Sequence, residues 1–145
     1  MVTKKSISIW VLFGTLIVAA WFLGFALATR VGTAQQTAPT ENKGLTITPI
    51  TALDLGPEIP GMQGRQLRLR MLTFEPGGVV AVHNHKDRPG AAYVLKGTVT
   101  EHRGDVAKEY GAGENWSEDR NVTHWVENKG TSPAVLIAVD IFKQP

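Results

Sequence analysis

The sequence predicts an all-β domain carried behind one N-terminal apolar helix. Three observations lead there. Residues 7–28 form a run of 22 residues without a charge. Beyond residue 33 no segment repeats its apolar positions at the helical period. In place of helices come short runs of alternating or β-branched apolar character, separated by turn residues at intervals of about 8–12 residues, the pattern of a sandwich or barrel.

The apolar run would make a helix about 33 Å long, enough to cross a hydrocarbon core of about 30 Å. Lys4 and Lys5 precede it, which orients the N-terminus toward the cytoplasm and sends the rest of the chain across. The small residues of "ALA" (26–28) and "GTA" (32–34) also suit signal-peptide cleavage, although the run exceeds the usual 7–15 or so apolar residues of such a peptide. Residues 1–32 are therefore expected to be a membrane anchor or a cleaved signal peptide. On either reading the domain lies outside the cytoplasm, membrane-anchored in the periplasmic or extracellular space, or secreted. Residues 33–44, "TAQQTAPTENKG", are small, polar and aperiodic, and read as a flexible linker. Residues 45–145 are left as the folded domain.

The sequence pI of about 9.0 is set largely by Lys4, Lys5 and Arg30 around the apolar run. From Gln35 onward 12 Lys and Arg face 13 Asp and Glu, a net charge of −1. Such a domain has no basic stripe for nucleic acid. With no cysteine in the chain, disulfides, thiolate nucleophiles and thiolate metal ligands are excluded.

The elements follow in order. "RQLRLRML" (65–72) alternates Leu67, Leu69 and Met71 with Gln66, Arg68 and Arg70, a strand with one wet face. "EPGG" (75–78) reads as a turn, "VVAVHNH" (79–85) as a strand, and "AAYVLKG" (91–97) as another. Lys96-Gly97 is expected to turn the chain into "TVTEHRG" (98–104), and "YGAGE" (110–114) to turn it again. "VTHWVEN" (122–128) is a strand, "NKG" a turn, and "AVLIAVDIF" (134–142) the last long strand.

His83 and His85 stand at i and i+2 on a strand, so both face the same side. Imidazole suits Zn, Cu, Fe and Ni. His124 is a third candidate, in a later strand. The surrounding spacing resembles the cupin family: Gly77, five residues, His83-x-His85, four residues, position 90, six residues, Gly97, and later His124, three residues, Asn128. The resemblance runs from about Leu67 to Phe142, although the proline usual in the front part of the second motif is missing. It implies a double-stranded β-helix (jelly-roll) barrel with His83, His85 and His124 converging inside on a divalent metal ion such as Fe, Mn, Ni or Zn. It also implies a homodimer.

The family places a glutamate where this chain has Gly90. If Lys96-Gly97 made a two-residue hairpin, Gly90 would face Arg103 and Ala92 would face Glu101, putting Glu101 and Arg103 inside with position 90. A glutamate restored at 90 would then face the ion and strengthen its binding. Buried charges need partners. Glu101 and Arg103 either pair with each other, or serve as catalytic groups, Glu101 as distant ligand or base and Arg103 gripping an anionic substrate. His102, of opposite parity, is expected on the surface, and Arg88 within reach of Glu101. Trp125 and Glu127 are expected to pack outward, and Asn128 to form a turn with Gly130. The expected function is that of an exported, three-histidine metalloprotein acting on a small anionic molecule, as an oxygenase, lyase or isomerase. The alternative is a barrel that binds or senses a small ligand without catalysis.

Overall fold

A computed structural model describes residues 37–144, and these form strands, turns and loops. The predicted anchor or signal segment, and the linker up to residue 36, lie outside the described residues. Among the described residues no helix is long and apolar enough to cross a membrane. The strands are β1 (Lys43–Asp54), β2 (Arg65–Asn84), β3 (Gly90–Lys96), β4 (Thr98–Arg103), β5 (Val106–Gly111), β6 (Asn115–Glu118), β7 (Thr123–Glu127) and β8 (Ala134–Lys143). They join in the order β5-β4-β7-β2-β8-β3-β6, with β1 added along β2, to make a nearly closed jelly-roll barrel. β1 starts two residues before the expected domain boundary, and Pro39 and Asn42 ahead of it already accept hydrogen bonds from the backbone of Val82 and Ala81.

Two sequence expectations change. Residues 75–78, expected as a turn between two strands, are the corner of one 20-residue strand. Before the corner β2 pairs with β1 and β8; after it, with β7. The glycines are what the corner requires. Gly77 takes a positive φ of 72°, and a Cβ on Gly78 would meet the Gly44 carbonyl oxygen at 2.4 Å. Asn128 fastens the corner. Its side-chain Nδ2 donates to the carbonyls of Phe74, Glu75 and Ser132, and its Oδ1 accepts from the Gly130 N–H, the turn expected there.

The second change concerns β3 and β4. They do not pair through Lys96-Gly97. β3 lies between β6 and β8, and β4 between β5 and β7. Gly97 is a crossing point at φ 77°, packed so closely that a Cβ would lie 2.9 Å from Ala134 Cα. Gly90 therefore stands opposite Glu118 and Asp140, not Arg103.

The inward faces converge on one core. Phe74 and Leu72 come from β2, Ala92 and Val94 from β3, Val99 from β4, Trp116 from β6, Val126 from β7, and Ala134 and Leu136 from β8. Full burial of each of the larger side chains contributes about 1.5–3 kcal/mol. Towards one end the β2 and β8 rows change from apolar to charged. Arg68 and Arg70 of β2 meet the buried Asp140 of β8. The arginine-bearing side of "RLR" thus turns inward, and Leu67 on the other side is 40% exposed.

Candidate metal centre

β2 supplies His83 and β7 supplies His124, and the two are direct cross-strand partners in the ladder. His85 follows one residue beyond the end of β2. A register shift between Val80 and His83 re-aims the end of β2 toward the interior. The three Nε2 atoms form a nearly equilateral triangle with sides of 3.0, 3.1 and 3.2 Å.

The far side of each ring fixes its tautomer. His83 Nδ1 lies 2.8 Å from the Ala81 carbonyl, His85 Nδ1 2.9 Å from the Arg88 carbonyl, and His124 Nδ1 2.6 Å from Glu101 Oε1. A carbonyl or carboxylate can only accept, so each Nδ1 carries the proton and donates it. In the neutral ring each Nε2 is then a bare lone pair. Three lone pairs meet at about the distance of a hydrogen bond with no donor among them, an arrangement that calls for a cation at the centre. A proton is a poor candidate. Burial, together with the neighbouring His124 and His85, holds His83 down at about 4 against the bond to Ala81, and burial also lowers His85. A metal ion fits. Nitrogens at these separations, each about 2.1 Å from a common ion, subtend roughly 91–99° at it, nearer the 90° of one octahedral face than the tetrahedral value.

The triangle opens into a cavity of about 240 Å³. Leu72, Phe74, Val80 and Leu136 give it apolar walls, and Arg70, Arg88, Trp116 and Glu118 line it with polar groups. Asp140 organises the arginines. It takes both oxygens to Arg68 at 2.9–3.0 Å, one of them to Arg70 at 2.9 Å, and stands 3.5 Å from Arg88. Arg88 thus lies by Asp140 and not by Glu101. Arg70 keeps a buried Nε with no hydrogen-bond partner, and burial works against its charge while Asp140 supports it. Three guanidinium groups share one buried carboxylate, with Glu118 as the other acid at the cavity wall.

Glu101 and Arg103 occupy a different place. Glu101 is buried behind His124, where its Oε1 accepts both from His124 Nδ1 and from Arg103 Nε. Burial alone would raise this carboxyl, but the bonds from His124 and Arg103 outweigh it and hold it below the usual range. Arg103 is half exposed and also donates to the Ser117 carbonyl. Neither residue lines the cavity. His102 is not on the surface. It is buried, stacks flat on Trp125 at 3.6 Å, and bonds Glu127 at 2.7 Å. Trp125 and Glu127 are buried as well and, as expected, lie outside the cavity lining, so exposure was wrongly expected only of His102.

The spacing motifs, the barrel and the inward triad agree with a single family, and residues 70–140 match the cupin domain. The chain belongs to the cupin superfamily. No curated protein matches it in sequence. Solved structures share the fold at low identity. The Thermus thermophilus protein TT1209 is 22% identical, with a TM-score of 0.56 over 70% of this chain and 85% of its own. KdgF from a Halomonas species is 12% identical, with a TM-score of 0.55 over 74% and 88%. An RmlC-like cupin from Shewanella frigidimarina is 19% identical, with a TM-score of 0.52 over 75% and 86%. This cupin departs from the common pattern at Gly90; Arg70 and Glu118 were not singled out from the sequence, and Arg88 was placed there beside Glu101. Arg68 and Arg70 were legible only as a polar stripe of one strand, and Glu118 sits in "NWSED", which has no motif of its own.

Proposed function

We propose that this cupin holds one divalent transition-metal ion on His83, His85 and His124 and binds a small organic anion in the cavity beside it, on which it acts. The observation that carries the reading is the convergence of three Nε2 lone pairs at 3.0–3.2 Å, each locked by an acceptor behind its ring. When bound, such an ion supplies Lewis acidity. The chain's own groups do the rest. Arg70 and Arg88 line the cavity and attract a carboxylate, Arg70 with a buried N–H still unpartnered. Leu72, Phe74 and Leu136 exclude water from the apolar part of the ligand. Glu101 holds His124 in the required tautomer and orientation. The cavity is smaller than the roughly 300–1,000 Å³ of pockets for drug-sized ligands, so the ligand is a compact metabolite. The uncharged run at residues 7–28 supports placing this domain outside the cytoplasm, on an anchor or after cleavage of a signal peptide.

Elemental mass spectrometry on the untagged protein tests the metal reading, beside a His83→Ala, His124→Ala double variant. About one ion per chain, lost in the variant, is the expected result. A native protein that takes up no ion from Fe, Mn, Ni or Zn would sink it. Calorimetric titration of the loaded protein with short mono- and dicarboxylates then reads the ligand class. An Arg70→Met variant should lose that binding, and turnover of a bound carboxylate separates an enzyme from a binding module.

A further inference from the structure

Three neutral imidazoles leave the full charge of a divalent ion uncompensated, and in this cavity Arg70 and Arg88 add to the excess. A desolvated cationic site of this kind needs an anion from the protein. The residue that the family pattern would supply is absent at position 90. The structure shows both why it is absent and what stands in its place. A Cβ built on Gly90 would lie 2.5 Å from the Val139 carbonyl oxygen and 3.1 Å from Glu118 Oε2. Position 90 faces the site, but the Glu118 carboxylate already fills the space in front of it, reaching in from the opposite strand of the β3–β6 ladder.

We infer that Glu118 is the carboxylate of the metal centre, a fourth ligand delivered from β6 in place of one from β3; the inference rests on the three-histidine reading above. Glu118 is buried, with Oε1 3.7 Å from His124 Nε2 and Oε2 3.4 Å from His85 Nδ1. Adjacent donor atoms on a six-coordinate ion with bonds of about 2.1 Å are about 3.0 Å apart, so Oε1 needs to close about 0.7 Å on His124 Nε2, and the carboxylate must swing further from the back of the His85 ring to reach the ion held by the three histidines. The outermost side-chain torsion of a glutamate is soft enough for that. Trp116 Nε1 donates to Oε1 at 3.0 Å, and this bond fixes which oxygen is presented to the triad. The swap is self-consistent. The Val139 carbonyl excludes a Cβ at position 90, and Gly90 leaves the space in front of it to the Glu118 carboxylate.

The test is metal binding by the full chain, with cobalt(II) as probe. Glu118→Gln retains the size of the side chain and an acceptor for Trp116 but loses the charge. Glu118→Asp keeps the charge and withdraws it by one methylene. Each variant is expected to weaken cobalt affinity by tenfold or more and to change the visible ligand-field spectrum, while urea unfolding of the metal-free protein stays close to native. Native affinity in Glu118→Gln overturns the inference. So does weaker affinity with an unchanged spectrum, because the carboxylate would then act from outside the coordination sphere. Failure of the native protein to bind cobalt is a separate outcome that removes the three-histidine reading itself.

Discussion

Restoring the family glutamate at position 90 is the obvious way to improve this metal site, and the structure predicts that it fails. The informative perturbation is smaller, Gly90→Ala. The added methyl would sit 2.5 Å from the Val139 carbonyl oxygen. Comfortable carbon–oxygen contacts begin at about 3.3 Å, so the shortfall is about 0.8 Å. The obstacle is backbone, and the backbone cannot step aside. Gly90 pairs with Asp140 on one side and Glu118 on the other, so retreat from either breaks ladder bonds with the next strand. Overpacking of this kind costs about 1–3 kcal/mol, and a rigid carbonyl puts Gly90→Ala at the upper end. For a domain near 100 residues each kcal/mol lowers Tm by about 4–8 °C, which gives a fall of about 12–24 °C. Thermal and urea unfolding of the metal-free protein would measure it, with an unchanged urea slope showing that only stability moved. Gly90→Glu should lose at least as much stability and gain no metal affinity. An alanine variant within about 0.5 kcal/mol of native would refute the steric account, since surface-like tolerance is incompatible with a blocked Cβ.

Other consequences are equally direct. Glu101→Gln removes the anionic acceptor behind His124 and should weaken metal binding about 10–100-fold, measured by competition with a chelator. Asp140→Ala leaves the half-buried Arg68 and Arg70 without their shared carboxylate; a loss of about 3–5 kcal/mol is expected in urea unfolding, and a near-neutral result would show that the guanidiniums re-solvate freely. The metal-free protein should also lose stability in acid. His83 drops from an ordinary 6.5 to about 4 on folding, so the unfolded chain binds more protons between those values. Stability should therefore rise as pH increases from about 4 to 6.5 and level off above; because the ring is partly exposed, about 2 kcal/mol is expected at most. A clearly shallower slope over that window in His83→Ala than in the native protein, the remainder belonging to His85, assigns the effect.

The histidine triad was readable because two of its members share a strand at even spacing and the third falls at the family interval. Parity also carried the burial of Glu101 on the inner side of β4, since alternation survives whatever the partner strand. What parity cannot supply is the partner. Lys96-Gly97 looked like a hairpin turn, and only the strand pairing and the packing of Gly97 against Ala134 show that the chain crosses over there. That one difference moved Gly90 from Arg103 to Glu118, and with it the acidic partner of the site. Alternation in "RQLRLRML" (65–72) likewise revealed two unlike faces but not which was inner, because this barrel interior is itself polar around Asp140. His102 defeated parity altogether, being buried on the second face of β4.

The pairing of His83 with His124 has a consequence for the chain as a polymer. These residues are 41 apart in sequence yet form one rung of an antiparallel ladder. An ion held between them is a removable cross-link around a loop of that length. Treated with the loop-entropy relation used for covalent cross-links, a ring of this size corresponds to about 4 kcal/mol taken from the freedom of the unfolded chain. The loaded and empty proteins should then differ less in shape than in lifetime, with the ion acting as a latch on the ladder between β2 and β7.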